Sequence, residues 1–231
     1  MGPEAFVVGV RGRPRGAAHR DNPNEKGTDV MKLTTNTNVS VDGVMQGLGG
    51  PDEDRRGGFE RGGWVTDMFD PEAMAALDEM YGRADGFLFG RRTYDIFAGS
   101  WGAIEELRAN PIGVALNSRP KYVASTTPFA PTWANTTVLS GDVAAAIREL
   151  KATAGGELQV PGSGVLVRWL LENDLVDEIT LFTVPVVVGQ GTRLFPHDGP
   201  ARALDLVQSR ATPGGVTIQV YRPTGRPQYA T

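Results

Sequence analysis

From residue 31 onward, apolar and polar positions alternate in short blocks separated by glycine and proline. Residues 32–39 carry β-branched side chains at Thr34, Thr35, Thr37 and Val39, which suits a strand. Residues 46–63 are rich in glycine and charge, and a connection this long in a compact domain is usually functional or mobile. Asp70-Pro71 reads as an N-cap followed by proline at the first helical position. Ala73, Met74, Leu77 and Met80 follow at helical spacing. A short buried strand is predicted over 86–89, a helix over 91–98 and a strand over 121–124. Asp142 caps a helix whose inner face is Val143, Ile147 and Leu150, closed by Gly155-Gly156. Residues 158–160 form a strand, Gly162-Ser163-Gly164 opens a helix through Leu166, Trp169 and Leu170, and 179–188 is the longest apolar strand.

Strands alternating with helices predict a mainly parallel central sheet covered on both faces, a three-layer α/β/α arrangement. The end differs. Residues 204–210 and 216–222 flank Thr212-Pro213-Gly214-Gly215, which predicts an antiparallel C-terminal hairpin. Residues 1–30 lack this patterning and are expected to form a disordered tail, with Met31 as the native start. Residues 31–223 form the domain, and 224–231 a C-terminal tail.

Composition narrows the function. Of 231 residues, 40% are apolar and 22% charged, as in ordinary globular proteins. A net charge of −4 argues against a nucleic-acid partner, and no apolar run is long enough to span a bilayer. Cysteine is absent, which excludes disulfides, thiolate nucleophiles and cysteine-held zinc and fits a cytoplasmic protein. With only His19 and His197, a histidine triad or metal site has little material; no metal is expected. The remaining means are carboxylates, hydroxyls, arginines, backbone amides or a cofactor.

Three strand-to-helix junctions carry residues suited to a phosphorylated dinucleotide. Val160-Pro161-Gly162-Ser163-Gly164 combines close backbone approach with the positive end of a helix; a plain helix N-cap is the alternative. Phe89-Gly90-Arg91-Arg92-Thr93 places cations at a helix N-terminus, a conflict that a bound anion relieves and that a solvated surface also tolerates. Ser125-Thr126-Thr127 ends a strand with hydroxyls that suit a ribose or phosphate, or a simple turn. Open α/β sheets bind ligands beyond the carboxyl ends of their strands, where all three lie.

Taken in order, these segments resemble a known family. Asn38-Val39-Ser40-Val41-Asp42-Gly43, Gly62-Gly63-Trp64, Gly90-Arg91-Arg92-Thr93-Tyr94 and Lys121-Tyr122-Val123-Ala124-Ser125 are similar to the reductase domain at the C-terminus of the bifunctional riboflavin biosynthesis protein. So are Gly162-Ser163-Gly164, Leu175-Val176-Asp177-Glu178-Ile179 and Pro185-Val186-Val187-Val188-Gly189-Gln190-Gly191. The resemblance implies the dihydrofolate reductase-like fold and NADPH as cofactor. It places Gly90, Arg91, Arg92, Thr93, Ser125 and Thr126 at the adenosine and 2′-phosphate, Gly162, Ser163 and Gly164 at the pyrophosphate, and Asn38 and Val44 near the nicotinamide. Asp42 would orient the substrate-side loop, or act as a turn aspartate. Trp64 would wall the substrate pocket, or belong to the core or to a lid. Asp67 is the candidate proton relay, with a solvated helix-starting role as its alternative.

The expected activity is NADPH-dependent reduction of a small heterocyclic or ribosylamino substrate, of the 5-amino-6-(5-phosphoribosylamino)uracil reductase type. Dihydrofolate or pteridine reduction, or NADPH sensing without turnover, are the alternatives. The family commonly dimerises, which implies a homodimer. The zinc deaminase half of the bifunctional protein has no counterpart here: its His-x-Glu and Pro-Cys-x-x-Cys pieces are absent.

Overall fold

The computed structural model describes residues 30–153, 155–199 and 201–230; the tail expected over 1–30 lies almost wholly outside them. Its organising element is β1 (Lys32–Ser40), which is buried nearly end to end because it has parallel neighbours on both sides. The chain continues through α1 (Pro71–Arg83), β2 (Gly86–Gly90), α2 (Arg91–Gly99), α3 (Glu105–Ala109), α4 (Pro111–Ser118), β3 (Lys121–Ala124) and β4 (Thr136–Leu139). Then come α5 (Val143–Lys151), β5 (Glu157–Pro161), α6 (Gly164–Glu172), β6 (Glu178–Val184) and a hairpin of β7 (Leu204–Ala211) and β8 (Thr217–Pro223). The eight strands form one sheet in the order β4-β3-β2-β5-β1-β6-β8-β7; only the pairings β6–β8 and β8–β7 are antiparallel.

Strand alternation sends successive side chains to opposite faces. In β2, Phe87 and Phe89 join the core of α1, α2 and α4, while Leu88 joins that of α5 and α6. The three layers follow from this division. Asp70 starts α1 as expected, accepting from the amides of Glu72 and Ala73, and its second oxygen accepts from the Thr212 hydroxyl and, at 2.6 Å, from Gly214 N. One aspartate thus caps the helix and fixes the hairpin turn.

Four elements differ from the sequence expectation. The strand predicted over 179–188 stops at Val184, because Pro185 has no N–H to continue the ladder. Val186 N bonds back to Val184 O at 2.7 Å, and Val187 turns outward, 69% exposed. The predicted sequence elements also omit α3 and α4, although Asn110-Pro111 repeats the cap-plus-proline signal of Asp70-Pro71, and Asn110 accepts from Gly113 N at 2.9 Å. Finally, β4 is a four-residue edge strand, too short to display a period.

Gly113 marks where α3 and α4 meet. A β-carbon there would stand 1.9 Å from Leu107 O and 2.8 Å from Arg108 Cα, both backbone atoms. Gly113→Ala is therefore expected to lower stability by about 2 kcal/mol through overpacking, seen as a shifted midpoint in urea unfolding. An unchanged midpoint would show that the two helices separate freely.

Candidate functional site

Because β4, β3, β2, β5 and β1 run parallel, their carboxyl ends share one rim. A groove of about 1690 Å³ lies along it. It is lined by Asn38 from β1, Gly90 to Thr93 at the start of α2, Ser125 and Thr126 after β3, and Gly162 to Gly164 at the start of α6. The three junctions singled out by sequence converge there.

The α2 and α6 junctions touch. A β-carbon on Gly90 would lie 2.5 Å from Ser163 Oγ, so the absence of a side chain at 90 permits the approach. Gly162 and Ser163 both adopt left-handed backbone, φ 67° and 69°, a conformation that costs energy at the serine. Both helix starts are electrostatically unquenched: α2 and α6 have no acidic residue in the first turn and no side-chain cap. Their first amides leave partial positive charge at the groove.

Arg91 and Arg92 add full charges and behave differently. Arg91 Nε bonds both oxygens of Asp95 at 2.9 Å, and its guanidinium lies over the Phe129 ring, 3.8 Å from the centroid. That stack fixes the fork in place. Arg92 is exposed and has no ion-pair partner among the described residues. The Ser125 hydroxyl is engaged locally, donating to Thr127 O at 2.7 Å and accepting from Thr127 N at 3.3 Å.

On β1 itself the lining residues, Asn36, Thr37 and Asn38, are uncharged. Asn36 donates to Gln159 Oε1 at 3.4 Å, while the Asn38 carboxamide bonds nothing among the described residues. Tyr81, on α1, packs its ring against Phe87 and leaves its hydroxyl without a partner there. Burial pushes the Tyr81 phenol well above its ordinary pKa, so it stays protonated.

Four expected site residues stand outside the groove. Val44 is fully buried with Phe59 and Val188 in a satellite cluster, and its neighbour Met45 takes the wall position. Trp64 packs on that cluster and donates from Nε1 to Gln46 O at 2.8 Å, so it braces the loop. Asp67 is exposed in left-handed backbone, φ 65°, and is not among the residues lining the groove. Asp42 is a clasp. Its carboxylate accepts from Ser40 Oγ at 2.6 Å and from the amides of Val188 and Gly189 at 2.9 Å each, and pairs with Arg193 at 3.3 Å. The Ser40 hydroxyl foremost, then those amides, holds its carboxyl far below the usual carboxylate range.

The glycine-rich segment, residues 46–63, is a folded flap. Gln46 is buried: its Nε2 donates to Asp54 O and Arg56 O, and its Oε1 accepts from Thr192 N and Oγ1. Phe59 anchors the middle. The flap brings Asp54 and Arg56 to the groove wall, positions that no local signal marks.

Comparison with known proteins agrees with this architecture. The pattern of the RibD C-terminal domain family matches residues 31–218. The uncharacterized Bacillus subtilis (strain 168) protein YyaP is 25% identical over 193 residues, 81% of this chain and 92% of its own length. Among solved structures, a protein assigned to riboflavin biosynthesis in Shewanella sp. PV-4 is 23% identical, covers 84% of this chain and 99% of its own, and superimposes with a TM-score of 0.62. A pyrimidine reductase-like protein from Corynebacterium diphtheriae is 14% identical at TM-score 0.56, covering 84% and 92%. Enterococcus faecalis dihydrofolate reductase, solved in complex with NADP(H), is 13% identical at TM-score 0.53, covering 84% and 96%. These likenesses carry the dihydrofolate reductase-like fold, and the match over 31–218 carries the family: the chain belongs to the RibD C-terminal domain family.

Proposed function

We propose that the protein is an NADPH-dependent reductase that transfers hydride to a small heterocyclic or ribosylamino substrate of the kind used in riboflavin biosynthesis. One observation carries the reading: three junctions on a single rim combine two uncapped helix starts with an arginine that has no ion-pair partner among the described residues. Such helix starts favour phosphate, and a guanidinium fork suits a phosphomonoester. When bound, the dinucleotide supplies the hydride.

The chain's own residues divide the remaining work. Arg91, Arg92 and Thr93, with Gly90 giving room, hold the 2′-phosphate, and Ser125 and Thr126 flank the adenosine. Gly162 to Gly164 receive the pyrophosphate. Asn38 and Met45 stand where the nicotinamide would lie, and Val44 acts from beneath by fixing Met45. Tyr81 offers a protonated hydroxyl from the α1 side, where it donates a hydrogen bond to the acceptor. The flap limits water access to that end.

Arg92→Ala is expected to weaken NADPH binding about tenfold, the loss of one charge-assisted hydrogen-bonding group, and to leave NADH binding unchanged. Fluorescence titration with both nucleotides measures this. Wild-type protein that binds neither nucleotide would end the proposal. Tight NADPH binding without oxidation across uracil-type, pteridine and dihydrofolate acceptors would assign it to sensing.

A further inference from the structure

Arg91 is held on two sides and open on the third. Its Nε donates to both oxygens of Asp95, and a face of its guanidinium lies 3.8 Å from the centre of the Phe129 ring. Its two Nη groups have no partner among the described residues, and the residue lines the groove. The ion pair alone is a weak restraint. It spans one turn of α2, with the two side chains 41% and 51% exposed, and pairs of this kind contribute little. The ring supplies the second restraint.

Phe129 is braced in turn. It lies in the connection from β3 to β4, between Pro128 and Pro131, whose rings restrict the backbone on either side. Its ring packs on buried Tyr94, with centroids 5.5 Å apart. Tyr94 packs on Trp133 at 6.2 Å, and its hydroxyl accepts from Trp133 N at 2.9 Å. Trp133 donates from Nε1 to Asn117 Oδ1 at 2.8 Å, and the Nζ of fully buried Lys121 stands 4.7 Å from its ring centre. A chain of contacts thus runs from α4 and β3 to the groove. Arg92 has no such support: it is exposed and without an ion pair among the described residues.

An arginine already fixed loses little freedom when a ligand binds, and two Nη donors in one plane match two oxygens of a phosphomonoester. We infer that Phe129 is a positioning residue that makes Arg91 a preformed two-donor receptor, and so sets the preference for a dinucleotide with a 2′-phosphate over one without. Trp133 maintains the arrangement by bracing Tyr94. This rests on the NADPH reading, because Arg91 is assigned there to the 2′-phosphate.

The test uses full-length protein. In ligand-free wild type the Arg91 Nε–H signal should carry an aromatic ring-current shift in 1H–15N spectra, which Phe129→Leu removes and Phe129→Tyr retains. Phe129 is only partly buried, so both variants should fold. Fluorescence titration then compares NADPH with NADH. Phe129→Leu should weaken NADPH about tenfold and leave NADH unchanged, while Phe129→Tyr binds both as wild type does. In Arg91→Ala protein, Phe129→Leu should have no further effect on NADPH. Equal weakening of NADPH and NADH would place Phe129 against the adenine or in the fold alone and overturns the inference. Unchanged NADPH binding, additive losses in the double variant, or a wild-type Arg91 signal without a ring-current shift overturn it too. Wild-type protein that binds NADPH no better than NADH defeats the underlying 2′-phosphate assignment instead, and that result is evident before any variant is made.

Discussion

Asp42→Ala is expected to lower the unfolding free energy by about 3–4 kcal/mol, since several charge-assisted bonds to one carboxylate disappear together. The side chain joins the end of β1 to residues 146 and more positions later, at Val188, Gly189 and Arg193. Its removal leaves the Val188 amide without its acceptor and frees the turn that follows β6. Asp42→Asn keeps one acceptor oxygen, so its loss is smaller and its pH behaviour is more informative. The depressed folded-state pKa means that the carboxylate stabilises fully above its unfolded value, near 4, and less as pH falls below that. Wild-type protein should therefore lose stability in acid more steeply than Asp42→Asn. Urea unfolding at pH 7 and pH 3 measures both slopes, and parallel slopes would refute this role.

Gly90→Ala is expected to weaken NADPH binding tenfold or more. The added methyl group meets Ser163 Oγ at 2.5 Å and drives apart the two junctions that shape the middle of the groove. Overpacking of this sort costs about 1–3 kcal/mol, and 1.4 kcal/mol is about tenfold in affinity. Ser163 supplies the clashing atom and holds left-handed backbone that glycine adopts without strain. Gly90→Ala combined with Ser163→Gly should thus recover most of the lost affinity. Non-additivity in that double-mutant cycle is the diagnostic result. If the double variant binds no better than Gly90→Ala, the contact between the junctions does not shape the ligand site.

What could be read in the sequence follows the range of the interactions involved. Caps, glycine-rich helix starts and β-branched runs act over a few residues, so β1, α1, α5, α6 and the three junctions were legible. So was the hairpin, within a residue at each end. Asn110-Pro111 was equally local, and a stricter reading of capping signals would have found α4. The flap was not legible, because its small core draws Val44, Phe59 and Val188 from separate stretches of chain. The Phe129 platform under Arg91 and the Tyr81 hydroxyl depend on neighbours that only the fold supplies. Asp42 shows the limit most clearly. Its motif suggested a loop-orienting residue, but its partners lie at the far end of the chain, where no spacing rule points.

The sheet's pairing order bears on how the molecule is made. Leu33 lies opposite Leu158 and Thr37 opposite Leu181, so β1, the first of the described strands, sits centrally and pairs with strands from the second half of the chain. A nascent chain emerging from the ribosome thus carries an unpaired, threonine-rich ribbon until β5 and β6 follow. Folding dominated by such distant pairings is slow, and the waiting ribbon is open to wrong partners. The sheet therefore cannot close around β1 until the chain has been made through Val184.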